Sequence, residues 1–253
     1  MTGTSACEMT VSGNSEGRRE KGEGQNHDAA HPSPFALTPL RPIGIFGGTF
    51  DPIHYGHLRM AEELADSLAL DIVRFIPAGQ PPHRTSPRTE AKHRLEMTRL
   101  AIAGNPRFLL DEREVREPRA SFTFDTLTSL RQELGADQPL WLLMGTDAFL
   151  GLPTWKEWRQ LFSLAHIAVA HRPGYKLTQS DMLPDPLRRE LEQRRCDTPP
   201  AAPSGSIFLK PVTALDISAT AIRQHLSSGT SARYLLPDLV LDYIQQHHLY
   251  TAS

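Results

Sequence analysis

Two histidines three residues apart, His54 and His57, close a string whose residue types suit phosphate: Gly47-Gly48-Thr49-Phe50-Asp51-Pro52-Ile53-His54-Tyr55-Gly56-His57. Paired glycines let a backbone approach a ligand with no Cβ in the way. Where such a turn opens a helix, unpaired N–H groups and the positive end of the helix dipole favour anions. Two imidazoles at that point can donate to a polyphosphate and stabilise charge developing on phosphorus and its leaving group. Two other readings exist. His54 and His57 could join His83, His93 or Asp51 around a metal ion, although the H-E-x-x-H spacing is absent. The string could also be an ordinary strand-to-helix connection with incidental histidines, which a lone Gly-Gly would favour and the full eleven residues do not. Neither G-x-x-x-x-G-K-[ST] nor G-x-G-x-x-G is present.

A second group lies far along the chain, in Ile217-Ser218-Ala219-Thr220-Ala221-Ile222-Arg223. Ser218 is a candidate helix N-cap, Thr220 falls in the first turn and Arg223 one turn further. Hydroxyls, backbone N–H groups and a guanidinium could converge there on one polyphosphate. Capping alone would need only Ser218.

These groups must be positioned by regular elements. Apolar runs at 42–46, 72–77, 108–110, 140–145, 166–171 and 207–209 read as short strands. Between them, helical spacing runs through 58–70, 90–103 and 123–134, with further helices at 218–226 and 237–247. Strand and helix alternate, and the strands are almost continuously apolar. That is the pattern of an α/β, Rossmann-like doubly wound parallel sheet in a single domain, with helices on both faces. Its ligands bind beyond the carboxyl ends of the strands. The first helix is expected to begin at or just after His57. Residues 174–206 read as a variable excursion around one helical stretch. Residues 1–40, rich in Gly, Ser, Glu, Arg and Asn, cannot bury enough apolar surface to offset their ordering entropy. They are expected to be a disordered tail before a domain at 41–253.

Composition narrows the function. The 253 residues are 39% hydrophobic and 22% charged, an ordinary globular balance. A net charge of -2 gives no reason to expect nucleic-acid binding. No apolar run reaches the ~20 residues of a membrane span. Two unpaired cysteines, Cys7 and Cys196, fit a cytoplasmic protein.

With those residues in view, the chain resembles the nucleotidyltransferase superfamily that carries HxGH and ISSTxxR motifs. Here the second motif reads ISATAIR. Within the superfamily it is similar to the bacterial nicotinate-nucleotide adenylyltransferases, over about Pro42 to Tyr250. Further matching segments are Ile76-Pro77-Ala78-Gly79-Gln80-Pro81-Pro82-His83-Arg84, Ser121-Phe122-Thr123-Phe124-Asp125-Thr126, Met144-Gly145-Thr146-Asp147 and Leu152-Pro153-Thr154-Trp155. The resemblance implies adenylyl transfer from ATP to nicotinate mononucleotide, with Mg²⁺ carried on the triphosphate and no protein metal ligand. His54, His57 and Arg223 are then the catalytic residues. Gly47, Gly48, Thr49, Phe50, Gly145, Asp147, Ile217, Ser218 and Thr220 complete the ATP site, the Asp147 carboxylate suiting ribose hydroxyls unless it is a helix cap. His83, Arg84, Phe122, Thr123 and Trp155 would take the mononucleotide, Trp155 stacking on its ring and Thr123 reading the ring carboxylate. Arg172 would add positive charge at a strand end. The implied partners are the two small substrates, without nucleic acid or membrane, in a monomer or homo-oligomer. Rival functions are a sister transferase using nicotinamide mononucleotide, phosphopantetheine or a cytidylyl donor, a non-catalytic nucleotide sensor, or a metallohydrolase.

Overall fold

Seven strands, all parallel, form one sheet in the order β3-β2-β1-β4-β5-β7-β6. The strands are β1 (Ile43–Gly48), β2 (Ile72–Pro77), β3 (Phe108–Leu110), β4 (Leu140–Gly145), β5 (His166–His171), β6 (Arg195–Cys196) and β7 (Ile207–Pro211). This computed structural model describes residues 40–81, 87–174, 177 and 182–251. The sheet belongs to the compact unit Pro39–Ser253, and the expected tail at 1–40 lies, but for Leu40, outside the described residues.

Alternation along the strands builds two cores. Leu140, Leu142 and Met144 of β4 point to one side, and Trp141 and Leu143 to the other. The first side packs against α4 (Thr123–Leu134), α5 (Thr146–Leu150), α6 (Leu161–Leu164) and α7 (Asp185–Arg194). The second packs against α1 (Tyr55–Ser67), α2 (Ala91–Ile102), α8 (Ala219–Ser227) and α9 (Asp238–Gln246). Strands covered on both faces have no polar side, which is why these runs read as continuously apolar. Gly135 ends α4 at φ 89°, a backbone state that L side chains rarely adopt.

The chain order makes the cleft. After β1 the chain builds outward through β2 and β3, then returns to add β4 on the other side of β1. Helices therefore leave β1 and β4 toward opposite faces, and a crevice opens at the carboxyl ends of these two strands.

Most expected elements are found within a residue or two. The first helix is the exception, since α1 begins at Tyr55, three residues before Leu58. Gly56 hid its start, because glycine carries no apolar periodicity and a low helix propensity. The excursion at 174–206 holds α7 and the two-residue β6. The four-residue α3 (Arg113–Arg116), α5 and α6 are too short to show a period. No helix of the described residues is long and apolar enough to cross a membrane.

Leu64 is fully buried between α1 and the sheet. Leu64→Ala is expected to cost about 2–5 kcal/mol in urea unfolding, from lost transfer energy and a residual cavity. A loss under about 1 kcal/mol would contradict this packing.

Candidate active site

A cleft of about 1120 Å³ lies outside the ends of β1 and β4. Gly47, Gly48, Thr49, Phe50, His54, His57, Thr123, Gly145, Asp147, Trp155, Ile217, Ser218, Thr220 and Arg223 all line it. Arg172 also reaches it and pairs with Asp216 at 3.0 Å. Phe122 does not line it; as N-cap of α4 it lies beneath the Lys156 ammonium, 5.0 Å from its ring centre. His83 and Arg84 fall outside the described residues. Asp147 is exposed in the first turn of α5, whose cap is Gly145, so it is no N-cap.

One wall is the glycine-rich turn. Phe50 takes φ 48°, reversing the chain after β1. Its ring is only 2% exposed and packs with Phe46 and Phe75. Phe50, expected at ATP, therefore turns its ring into the core, edge-on to His57 with centres 5.2 Å apart. Its physical part is to seat that histidine.

His54 is the N-cap of α1 in extended backbone, and His57 occupies the third helical position. The two rings stack with centres 3.7 Å apart, and the His54 N–H reaches His57 Nδ1 at 3.3 Å. Gly56 makes this possible. A Cβ there would come 3.0 Å from His54 Nδ1 and 3.6 Å from the Ile217 carbonyl. The H-x-G-H spacing is thus a packing requirement as well as a chemical one.

Burial lowers the His54 pKa to about 4, so its imidazole is neutral near pH 7. Its Nδ1 is buried without a hydrogen bond of normal geometry, and the His57 N–H faces the ring in a capping-box arrangement. A proton on Nδ1 would be a buried donor facing another donor. The favoured tautomer carries it on Nε2.

The opposite wall is the start of α8. Ser218 caps it, accepting the Ala221 N–H at 3.1 Å. Arg223 donates to the Thr220 hydroxyl at 3.1 Å and to the Asp51 carbonyl at 2.7 Å. Both hydroxyls accept within the protein, which leaves each O–H to donate outward. Arg223 is braced across the cleft rather than extended into it.

Three side chains take supporting roles that the sequence alone does not assign to them. Arg94 on α2 is 1% exposed and donates to the carbonyls of Thr49 (2.8 Å), Gly79 (2.9 Å) and Thr89 (3.1 Å). The available signal was its spacing, since Arg94 shares a helical stripe with buried Met97 and Thr98. Asp51 is buried and accepts from the Arg88 N–H and the Tyr250 hydroxyl. Glu114 lines the cleft and accepts from Thr126 at 2.6 Å, and burial raises its carboxyl above the usual range. Its sequence setting, Asp111-Glu112-Arg113-Glu114, reads as solvated charge and offered no signal.

Beside Glu114, the Ser121 hydroxyl accepts from the N–H groups of Gly79 and Gln80 at 3.0 and 3.3 Å. The loop after β2 is thereby tied to the start of α4, near Thr123. Half-buried Trp155 ends a 3-10 turn at Leu152–Thr154 and borders the same region.

Of the residues that could have joined His54 and His57 around a metal ion, His83 lies outside the described residues and the other two have partners of their own. Asp51 is held by its own donors, and His93 Nδ1 bonds Tyr243 at 2.9 Å. Among the described residues no group of three His, Cys, Asp or Glu is arranged to hold a metal ion.

The shifted histidine has a measurable sign. Its folded pKa lies below the ordinary value near 6.5, so as pH falls from 7 to 5 the unfolded chain binds the proton first. Stability should drop by about 2 kcal/mol over that range from this group. Urea unfolding at pH 7 and 5 should show that much less pH dependence in His54→Gln; equal dependence in both proteins would refute the burial effect.

Comparison with known proteins agrees with this geometry. Residues 45–225 match the family described as Cytidylyltransferase-like. A probable nicotinate-nucleotide adenylyltransferase of Dechloromonas aromatica is 55% identical over 215 residues, covering 84% of this chain and 99% of that protein. One from Acidithiobacillus ferrooxidans is 49% identical, covering 81% and 94%. The structure of Plasmodium falciparum nicotinic acid mononucleotide adenylyltransferase complexed with NaAD has the same fold, with TM-score 0.64 at 19% identity over 83% of this chain and 97% of that one. The chain belongs to the cytidylyltransferase-like nucleotidyltransferases, in the same family as the nicotinate-nucleotide adenylyltransferases.

Proposed function

We propose that this protein transfers the adenylyl group of ATP to nicotinate mononucleotide, forming nicotinate adenine dinucleotide and releasing pyrophosphate, in NAD biosynthesis. The observation that carries this reading is the convergence of two helix starts on one cleft, with His54 and His57 on α1 facing Ser218, Thr220 and Arg223 on α8. Identity of 55% to a relative of that name supports the choice of acceptor.

A phosphate oxygen of the mononucleotide attacks the α-phosphorus in line. The P–O bond to the β-phosphate breaks, and its electron pair leaves on pyrophosphate. The attacking phosphate is already anionic near neutral pH, so no strong base is required. Catalysis then rests on positioning and on stabilising charge. Neutral His54 donates through Nε2, and Arg223 supplies the fixed positive charge. Mg²⁺ arrives as part of the substrate, held by phosphate oxygens and water. On the acceptor side, Thr123 and nearby backbone groups read the ring carboxylate while Trp155 stacks on the ring. A carboxylate presents only acceptors where an amide presents donors, so unpaired donors penalise the nicotinamide form. His83 and Arg84, outside the described residues, are proposed to reach the phosphate of the mononucleotide or the ATP tail.

Product analysis with ATP, Mg²⁺ and each candidate mononucleotide tests the reading. The acid is expected to be used far better than the amide, and an amide or phosphopantetheine preference would overturn the assignment. His57→Ala is expected to lower kcat about 10²- to 10³-fold, the usual loss when a transition-state donor is removed. Near wild-type turnover in that folded variant would refute the role of His57.

A further inference from the structure

Asp51 sits between the two glycines and the two histidines of the turn, and its carboxylate is buried. Each oxygen has one donor from a remote part of the chain. The Arg88 N–H reaches Oδ2 at 2.8 Å, and the Tyr250 hydroxyl reaches Oδ1 at 2.6 Å. Tyr250 follows α9 and is 199 residues from Asp51 in sequence. An ionised carboxylate can only accept, so the phenol is the donor in this contact. The Asp51 carbonyl is also one of the two braces of Arg223. One residue thus joins the turn, the segment before α2, the chain after α9 and the guanidinium on α8.

We propose that Tyr250 is a positioning residue for adenylyl transfer, acting as a latch that holds Asp51 and, through it, the phosphate-binding turn and the Arg223 head group. The proposal rests on the reaction assigned above only for its kinetic consequence; the contacts stand on their own. Without the phenol, Oδ1 is a buried charged acceptor lacking its donor. The carboxylate then rotates toward the neighbouring guanidinium groups or draws in water, and either change shifts the peptide that braces Arg223. Burial and the Asp51 charge hold the phenol far above the ordinary tyrosine range. It therefore remains protonated, and a donor, near neutral pH. A side chain that only filled space between α9 and the turn would need the ring and not the hydroxyl.

Tyr250→Phe in the full chain keeps the ring and removes the hydroxyl. Its affinity for ATP with Mg²⁺, measured by titration calorimetry well below its melting temperature, is expected to weaken about tenfold, the scale of one charge-assisted hydrogen bond. The KM for the mononucleotide is expected to stay within about twofold of wild type, because Tyr250 braces only the phosphate side. In an Asp51→Ala background, which removes the acceptor, adding Tyr250→Phe should weaken ATP binding less than about twofold further, since Tyr250 acts through Asp51. Wild-type ATP affinity in Tyr250→Phe, equal losses for both substrates, or additive losses in the double variant would each overturn the latch. A wild-type chain that binds ATP but forms no nicotinate dinucleotide would refute the assigned acceptor. The calorimetric comparison would then still decide the latch.

Discussion

The site depends on one buried cation. Arg94 enters from α2, almost fully enclosed, and its guanidinium ends on three backbone carbonyls from three connections. Burying a guanidinium is costly unless its N–H groups are paired. Here the carbonyl dipoles pair them, and the charge of Asp51 adds a favourable field. Thr49 belongs to the phosphate turn, Gly79 to the loop after β2 and Thr89 to the entry of α2. A single planar fork therefore sets the spacing between the turn after β1, the loop after β2 and the entry of α2. A lysine could not do so, since its one ammonium cannot reach three divergent acceptors with fixed geometry.

In the proposed reaction, the phosphates meet two kinds of group, directed donors and a fixed charge. Both histidines lie at a helix start, where a positive imidazolium would oppose the dipole. Burial removes that conflict by keeping His54 neutral, so it contributes a directed N–H. Permanent charge is left to Arg223, which stands on the far wall and is braced by Thr220 and Asp51. Separating the directed donors from the fixed charge keeps both in place before substrate arrives, which is the condition for electrostatic catalysis.

Much of this was legible in the sequence, and the boundary has a physical cause. The α/β order followed from strands with no polar side, because burial on both faces leaves a continuous apolar run. The phosphate turn and the Ser218 cap were legible because they are local, carried within a few residues. Arg94, Asp51, Tyr250 and Glu114 were not assigned these roles, because each acts through partners distant in sequence, such as Tyr250 with Asp51. Phe50 lines the cleft as its place in the motif implies, but its ring packs into a core formed with Phe46 and Phe75, partners the local motif does not reveal. His54 as the cap of α1 was missed since Gly56 interrupts the apolar period that marks a helix start.

The two substrate sides of the cleft are built differently, and the difference bears on what each can vary. The phosphate side is formed by a strand end and two helix starts, locked by Gly56 against His54 and by Arg223 against Asp51. A Cβ at Gly56 would come 3.0 Å from His54 Nδ1 and press the ring out of its place, so this wall leaves little freedom for substitution. The side proposed for the acceptor is formed by connections, with Ser121 and Glu114 tying the loop after β2 to the start of α4. Loops held by side-chain hydrogen bonds tolerate substitution better than packed element ends do. One cleft can thus conserve the transfer of an adenylyl group while its other half is retuned for a different acceptor.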